Sequence, residues 1–264
     1  ACYGDGQRSA HYSSGAYGGT VLIEDNTFSE MDDRAIDLGA WYIYNDLTLD
    51  YTVSGNTIDT TGSNGITMSF TSVNTATVDL DVLLEDNTII DPDGDGIYMY
   101  WYYYYDDVVI DTDVTIRGNS ISGAGDEGIS LYMSSFDTLE SDFDFVVEDN
   151  TIDSSGDDGI YAYMYCIDQF DVDFTISGNS IDAAGGSGIE LGLSSMYAHE
   201  FSVGVAVLGN EITDPISDGI EFGMWYVEDG SLASDITIAG NTISGAGGGG
   251  SSLSGRKLSG HTLG

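Results

Sequence analysis

Residues 114–133 read VTIRGNSISGAGDEGISLYM, and the frame they set returns along nearly the whole chain. Asn119 stands at its centre. Equivalent asparagines occupy Asn26, Asn56, Asn87, Asn150, Asn179, Asn210 and Asn241, at spacings of 30, 31, 32, 31, 29, 31 and 31 residues. Apolar residues lie five and three before each asparagine, as Val114 and Ile116 do here, and Ile or Phe lies two after it. Nine after it comes Gly, or Ala once, and then an Ile at all but the last site. A fixed period of this size means stacked supersecondary units.

Within each unit the apolar positions alternate with period two, as in Gly-Ile-Ser-Leu-Tyr-Met at 128–133 and Asp-Phe-Thr-Ile at 173–176. Val, Ile, Thr, Tyr and Phe fill these runs, with Gly, Asp and Ser between them. A helical hairpin repeat is excluded, because no 3.6-residue stripe is sustained and 36 glycines would weaken helices. A propeller blade needs four strands, and each unit offers two long runs and one short. The expected fold is all-β: a single-stranded, right-handed parallel β-helix of about eight coils with repeats of about 31 residues. Successive coils would stack at about 4.8 Å. Ile58, Ile89, Ile121, Ile152, Ile181, Ile212 and Ile243 would make one inward ladder, headed by Phe28, and Ile36, Ile66, Ile97, Ile129, Ile160, Ile189 and Ile220 a second. The eight asparagines would form a third ladder at a bend, each amide bonding its neighbours above and below.

The unit, hydrophobic-x-Ile-x-Gly-Asn-Ser/Thr-Ile, acidic Gly-rich turn, Gly-Ile-x-Leu, resembles the parallel β-helix repeat of the pectate-lyase-like superfamily over roughly residues 21–253. The resemblance implies the fold. It also implies a range of activities, since that superfamily holds polysaccharide lyases, hydrolases and epimerases beside adhesins without chemistry, and fold alone does not choose among them. Residues 1–20, rich in Gly, Ser and Tyr, are expected outside the β-helix, and residues 254–264 to form a C-terminal tail.

Five Lys and Arg face 45 Asp and Glu, a formal charge of −40. Such a surface repels nucleic acid, anionic membrane and uronic-acid polymers. It favours cations, neutral glycans, a protein, or a second copy of the chain under screening. Cys2 and Cys166 make no disulfide framework; Cys166 is in phase with core positions, and Cys2 is free to crosslink or carry lipid. No apolar run reaches the ~20 residues of a membrane span. Acidity, glycine content and repeat type suggest a secreted or cell-surface protein of a prokaryote.

The outward positions of the Gly-Ile strand carry a concentration of aromatics. Tyr98, Tyr100, Tyr102 and Tyr104 should point out from one coil, Tyr132 from the next, and Tyr161, Tyr163 and Tyr165 from the one after. An aromatic patch on a charged rod suggests a contact face that uses Tyr as a rigid, amphipathic anchor. The turns before the Gly-Ile strands form an acidic ridge, and Asp93, Asp95, Asp126, Glu127, Asp157 and Asp158 are the candidate Ca²⁺ ligands. The opposing reading makes them solvated turn residues.

A catalytic set is missing. The resemblance would place Arg or Lys beside acidic residues in a uronate lyase, yet Arg8, Arg34 and Arg117 are isolated. His199 lies in a loop beside Glu200 with no partner. The expected function is therefore a non-enzymatic extracellular or surface protein, structural or adhesive, self-associating into filaments and using the tyrosine face. The alternative is a lyase or hydrolase acting on a neutral glycan, with Asp106, Asp107 or Asp137 as acid or base.

Overall fold

In each repeat the alternation resolves into a long strand before the asparagine, a short strand after it, and a second long strand beginning at the Gly-Ile pair. Around Asn119 these are Val109–Arg117, Ser120–Ser122 and Ile129–Thr138. A computed structural model of the chain describes residues 7–13, 17–43, 46–73, 77–103, 109–138, 140–168, 170–195, 200–225 and 231–256. Every strand pairs with its counterparts one repeat away, and all pairings are parallel. Three sheets result. Sheet I holds eight strands preceding the asparagines, sheet II eight short strands following them, and sheet III nine strands of the Gly-Ile type. The chain thus winds as an all-β parallel solenoid, and no α-helix occurs among the described residues.

Register makes the sequence columns physical. Ile89, Ile121 and Ile152 pair in succession in sheet II, and Ile97, Ile129 and Ile160 in sheet III. Each of these isoleucines is at most 1 % exposed. Burial of one such side chain stabilises the fold by roughly 1.5–3 kcal/mol, so the ladders supply much of the driving force. A stack of aromatics runs through the core beside them. Trp101 lies 5.7 Å from Phe70 and meets Phe145 edge-on at 5.4 Å, and Phe145 stacks on Phe174 at 4.9 Å.

The bends have a backbone cause. The residue before every asparagine has positive φ, from 54° at Asp86 and Asp149 to 69° at Gly240, and so does the residue four after it. Asp or Gly, which tolerate this left-handed region, fill every position before an asparagine, while four after it Glu30, Thr60, Ser154 and Ala183 are held there as well, and both positions turn the chain sharply between sheets. The asparagine then fastens the bend. Asn119 donates from its backbone N–H and from Nδ2 to Oδ1 of Asn150, both at 3.0 Å, and from Nδ2 back to the Leu84 carbonyl at 2.9 Å. The pattern repeats from Asn56 to Asn210, each 1 % exposed, and extends to the more exposed Asn26 and Asn241 at the ladder's ends.

The solenoid reaches further than the expected boundaries at residues 20/21 and 253/254. Gln7–Ser13 is a sheet III strand pairing Gln7 with Ile36 and Ser9 with Leu38, and Tyr17–Glu24 is a continuous sheet I strand. At the other end Ser251–Arg256 pairs with the strand beginning at Ile220. Both outer strands put a polar residue, Gln7 or Ser251, in the isoleucine column, so apolar spacing alone does not mark them.

Candidate functional site

Tyrosine suits a strand whose two faces differ, because its ring covers the sheet and its hydroxyl stays wet. Seven tyrosines meet this condition on three neighbouring sheet III strands. Tyr98, Tyr100 and Tyr102 pair in register with Ser130, Tyr132 and Ser134, and those with Tyr161, Tyr163 and Tyr165. The inward partners between them, Met99, Trp101, Met133, Ala162 and Met164, are buried. The outward rings are half-buried, and Ser130 and Ser134 beneath them are only 4 % and 3 % exposed.

The rings pack on one another. Tyr100 and Tyr132 have centroids 5.5 Å apart with planes at 23°, and Tyr132 and Tyr163 are 5.6 Å apart at 21°. Along the strand, Tyr98 and Tyr100 are 6.3 Å apart and Tyr100 and Tyr102 5.7 Å, again nearly parallel. Rings in mutual contact lose side-chain freedom before any partner arrives, which lowers the entropy lost on binding. Burial, foremost, raises the Tyr98, Tyr132 and Tyr161 phenols above their ordinary value and pushes Tyr100 up to about 12; Glu190 adds to the effect at Tyr161. At neutral pH Tyr98, Tyr100, Tyr132 and Tyr161 therefore present uncharged hydroxyls that both donate and accept hydrogen bonds. Tyr104, Asp106, Asp107 and His199 lie outside the described residues.

The acidic ridge divides into two kinds of residue. Asp93, Asp126 and Asp157 are exposed, whereas Asp95 and Asp158 are buried to 7 % and 5 % exposure. The buried pair belongs to a column immediately before the turn glycines that recur from repeat to repeat, occupied by Asn64, Asp95, Glu127, Asp158, Ser187 and Asp218. Here a side-chain oxygen of one coil accepts the backbone N–H of the next. Asn64 Oδ1 accepts from Asp95 at 3.0 Å, Asp95 Oδ1 from Glu127 at 3.1 Å, and Asp158 Oδ1 from Ser187 at 2.6 Å. This is a second polar ladder. Burial, then the Glu127 carboxyl, raises Asp95 to about 8; burial, opposed by the Ser187 N–H and aided by Glu190, raises Asp158 to about 7. Among the described residues no group of three or more His, Cys, Asp or Glu is arranged to hold a metal ion.

Sheet I carries an arrangement that a reading by turns overlooks. Asp79, Asp111, Asp142 and Asp171 pair in register as one outward column, and Asp50, Asp81, Asp113, Asp144 and Asp173 as a second. All nine are exposed. Neighbours in a column are about 4.8 Å apart at the backbone, and the columns are two residues, roughly 6.6 Å, apart. Partial burial, followed by the neighbouring aspartates, raises Asp81, Asp142 and Asp144. The signal was present as acids six and eight residues before the asparagines.

A family profile described as "Right handed beta helix region" matches residues 81–243, more than half of the chain. No curated protein and no solved structure matches significantly.

Proposed function

The chain belongs to the right-handed β-helix family, and on that scaffold we propose a non-enzymatic contact protein, displayed outside the cell, whose tyrosine face adheres to an uncharged partner. The single observation that carries this reading is the ring-on-ring packing from Tyr100 through Tyr132 to Tyr163 on half-buried outward positions. A rigid aromatic comb is what an adhesive surface needs, because tyrosines bury much area while ordering few torsions.

Charge narrows the partner. The face is neutral, but its column continues into Glu190 and Glu221, and the rod as a whole is strongly anionic. Anionic polymers are repelled, leaving neutral glycans, or a second copy of the chain meeting tyrosine to tyrosine once salt screens the rods. Extracellular display agrees with the acidity and the repeat type. The test is the double variant Tyr100→Ala with Tyr163→Ala. Binding on a neutral-glycan array, or lateral association in sedimentation, should fall at least tenfold while the denaturation midpoint moves little, as expected when an aromatic hot spot is removed. Retained binding by this variant would refute the assignment.

A further inference from the structure

Tyr132 touches a tyrosine on each side, and both contacts join different coils. Its ring lies 5.5 Å from Tyr100 and 5.6 Å from Tyr163, with planes within 23° and 21° of parallel. In sequence these partners are a full repeat away on either side, yet register puts all three in one column. The neighbouring columns lack this property: Tyr98 faces Thr67 and Ser130, and Tyr161 faces Ser130 and Glu190. Along a strand, Tyr98, Tyr100 and Tyr102 stand two residues apart, so their backbone anchors are roughly 6.6 Å apart against about 4.8 Å across coils. The central column is therefore where phenol rings are held closest by the backbone, on a face reached by solvent.

We propose that Tyr100, Tyr132 and Tyr163 form an oxidative cross-linking site, at which a one-electron oxidant joins adjacent coils through dityrosine. In the step, each of two neighbouring phenols loses one electron and its hydroxyl proton. The two phenoxyl radicals then form a carbon–carbon bond between ring carbons ortho to oxygen. Each ring sheds its displaced ortho hydrogen to its own oxygen and becomes a phenol again. Two electrons and two protons leave in all, and hydrogen peroxide, acting through a haem peroxidase, takes them up as two molecules of water. Contact between parallel rings lets a hole pass from ring to ring until two oxidised neighbours meet, without diffusion of the protein. The link closes a loop of one repeat and so restricts the unfolded chain. This chemistry does not depend on whether the face binds a partner.

The experiment treats the folded full chain, dilute enough to suppress collisions, with a haem peroxidase and limiting hydrogen peroxide. Dityrosine fluorescence should rise with no dimer on a denaturing gel. Digestion should yield the Tyr100–Tyr132 and Tyr132–Tyr163 peptides, each lighter by two hydrogens, and the denaturation midpoint should increase. Tyr132→Phe keeps the ring stack but removes the shared phenol, and should lower the yield several-fold; Tyr161→Phe should leave it unchanged. The proposal fails if Tyr132→Phe cross-links as well as the parent. It fails equally if the links scale with protein concentration, or form as readily in denaturant.

Discussion

At Thr112 the inward column of sheet I breaks its own rule. Its neighbours above and below, Leu80 and Phe143, are apolar and fully buried, and Thr112 is equally buried. Its hydroxyl finds no hydrogen-bond partner among the described residues. Thr112→Val keeps the shape and removes an unsatisfied polar group, so stability should rise by about 1 kcal/mol in urea denaturation. Asn150 argues the opposite way. Its Oδ1 accepts from the N–H and the Nδ2 of Asn119, and its Nδ2 donates to the Ile116 carbonyl. Asn150→Ala leaves these buried groups unpaired and should destabilise by roughly 3–5 kcal/mol, whereas Asn26→Ala, at the exposed end of the ladder, should change stability by under about 1 kcal/mol. The asparagine ladder is legible from spacing alone, since Asn is the only ladder-forming residue that recurs in every repeat. The roles of Asp95 and Asp158 are not. Read as carboxylates, they suggest cation ligands; their column shows that what the site requires is an oxygen acceptor, which Asn64 supplies without charge.

Elements of this molecule are limited as much by backbone approach as by burial. The turns between sheets II and III stack Gly125, Gly156 and Gly185 in successive coils, bonded Gly156 N–H to Ala124 carbonyl at 2.8 Å and Gly185 N–H to Ser155 carbonyl at 2.9 Å. A Cβ on Gly156 would stand 2.0 Å from the Gly125 carbonyl oxygen and 2.8 Å from its carbon. Backbone cannot swing aside as a side chain can. Gly156→Ala should therefore destabilise by about 2 kcal/mol or more although the residue is exposed, while Gly18→Ala, whose Cβ would have an ordinary 3.5 Å contact with the Thr48 carbonyl, should stay within about 0.5 kcal/mol. Equal effects on the denaturation midpoint would contradict the turn stacking. Strands were readable wherever an isoleucine opened them, and the tyrosine alternation followed from the same register. The aspartate columns of sheet I were hidden because, in a chain with 45 acids, a pair recurring before Asn87, Asn119, Asn150 and Asn179 looks like composition until neighbouring strands are aligned.

On the scale of the whole molecule, a formal charge of −40 and the two buried carboxyls of the acidic ridge, Asp95 and Asp158, act on stability with the same sign. Asp95, facing Glu127 and Asp126, is raised to about 8, and Asp158, facing Glu190, Asp157 and Glu127, to about 7, against 3.8 for an ordinary aspartate. The folded chain therefore holds protons between pH of about 4 and about 8 that the unfolded chain has released, and stability must fall as pH rises through that window. Their contribution is full below about pH 4 and lost above about pH 8, the reverse of an acid-labile protein. Repulsion among the exposed aspartates of sheet I also weakens as they protonate, but salt separates the two effects. At about 1 M salt the screening length is about 3 Å and surface repulsion is largely removed, while the buried carboxyls are screened far less. Denaturation midpoints at about pH 5 and about pH 9, each at low and high salt, should show a fall with pH that high salt reduces but does not abolish. The fall remaining at high salt is assigned to the second polar ladder. Asp95→Asn with Asp158→Asn keeps both oxygen acceptors, as Asn64 does in the same column, and removes both ionisations. That variant should lose most of the fall that high salt leaves in the parent, Glu190, also raised chiefly by burial, keeping a smaller remainder. If it retains the parent's slope, the buried carboxyls are not what makes the rod prefer acid.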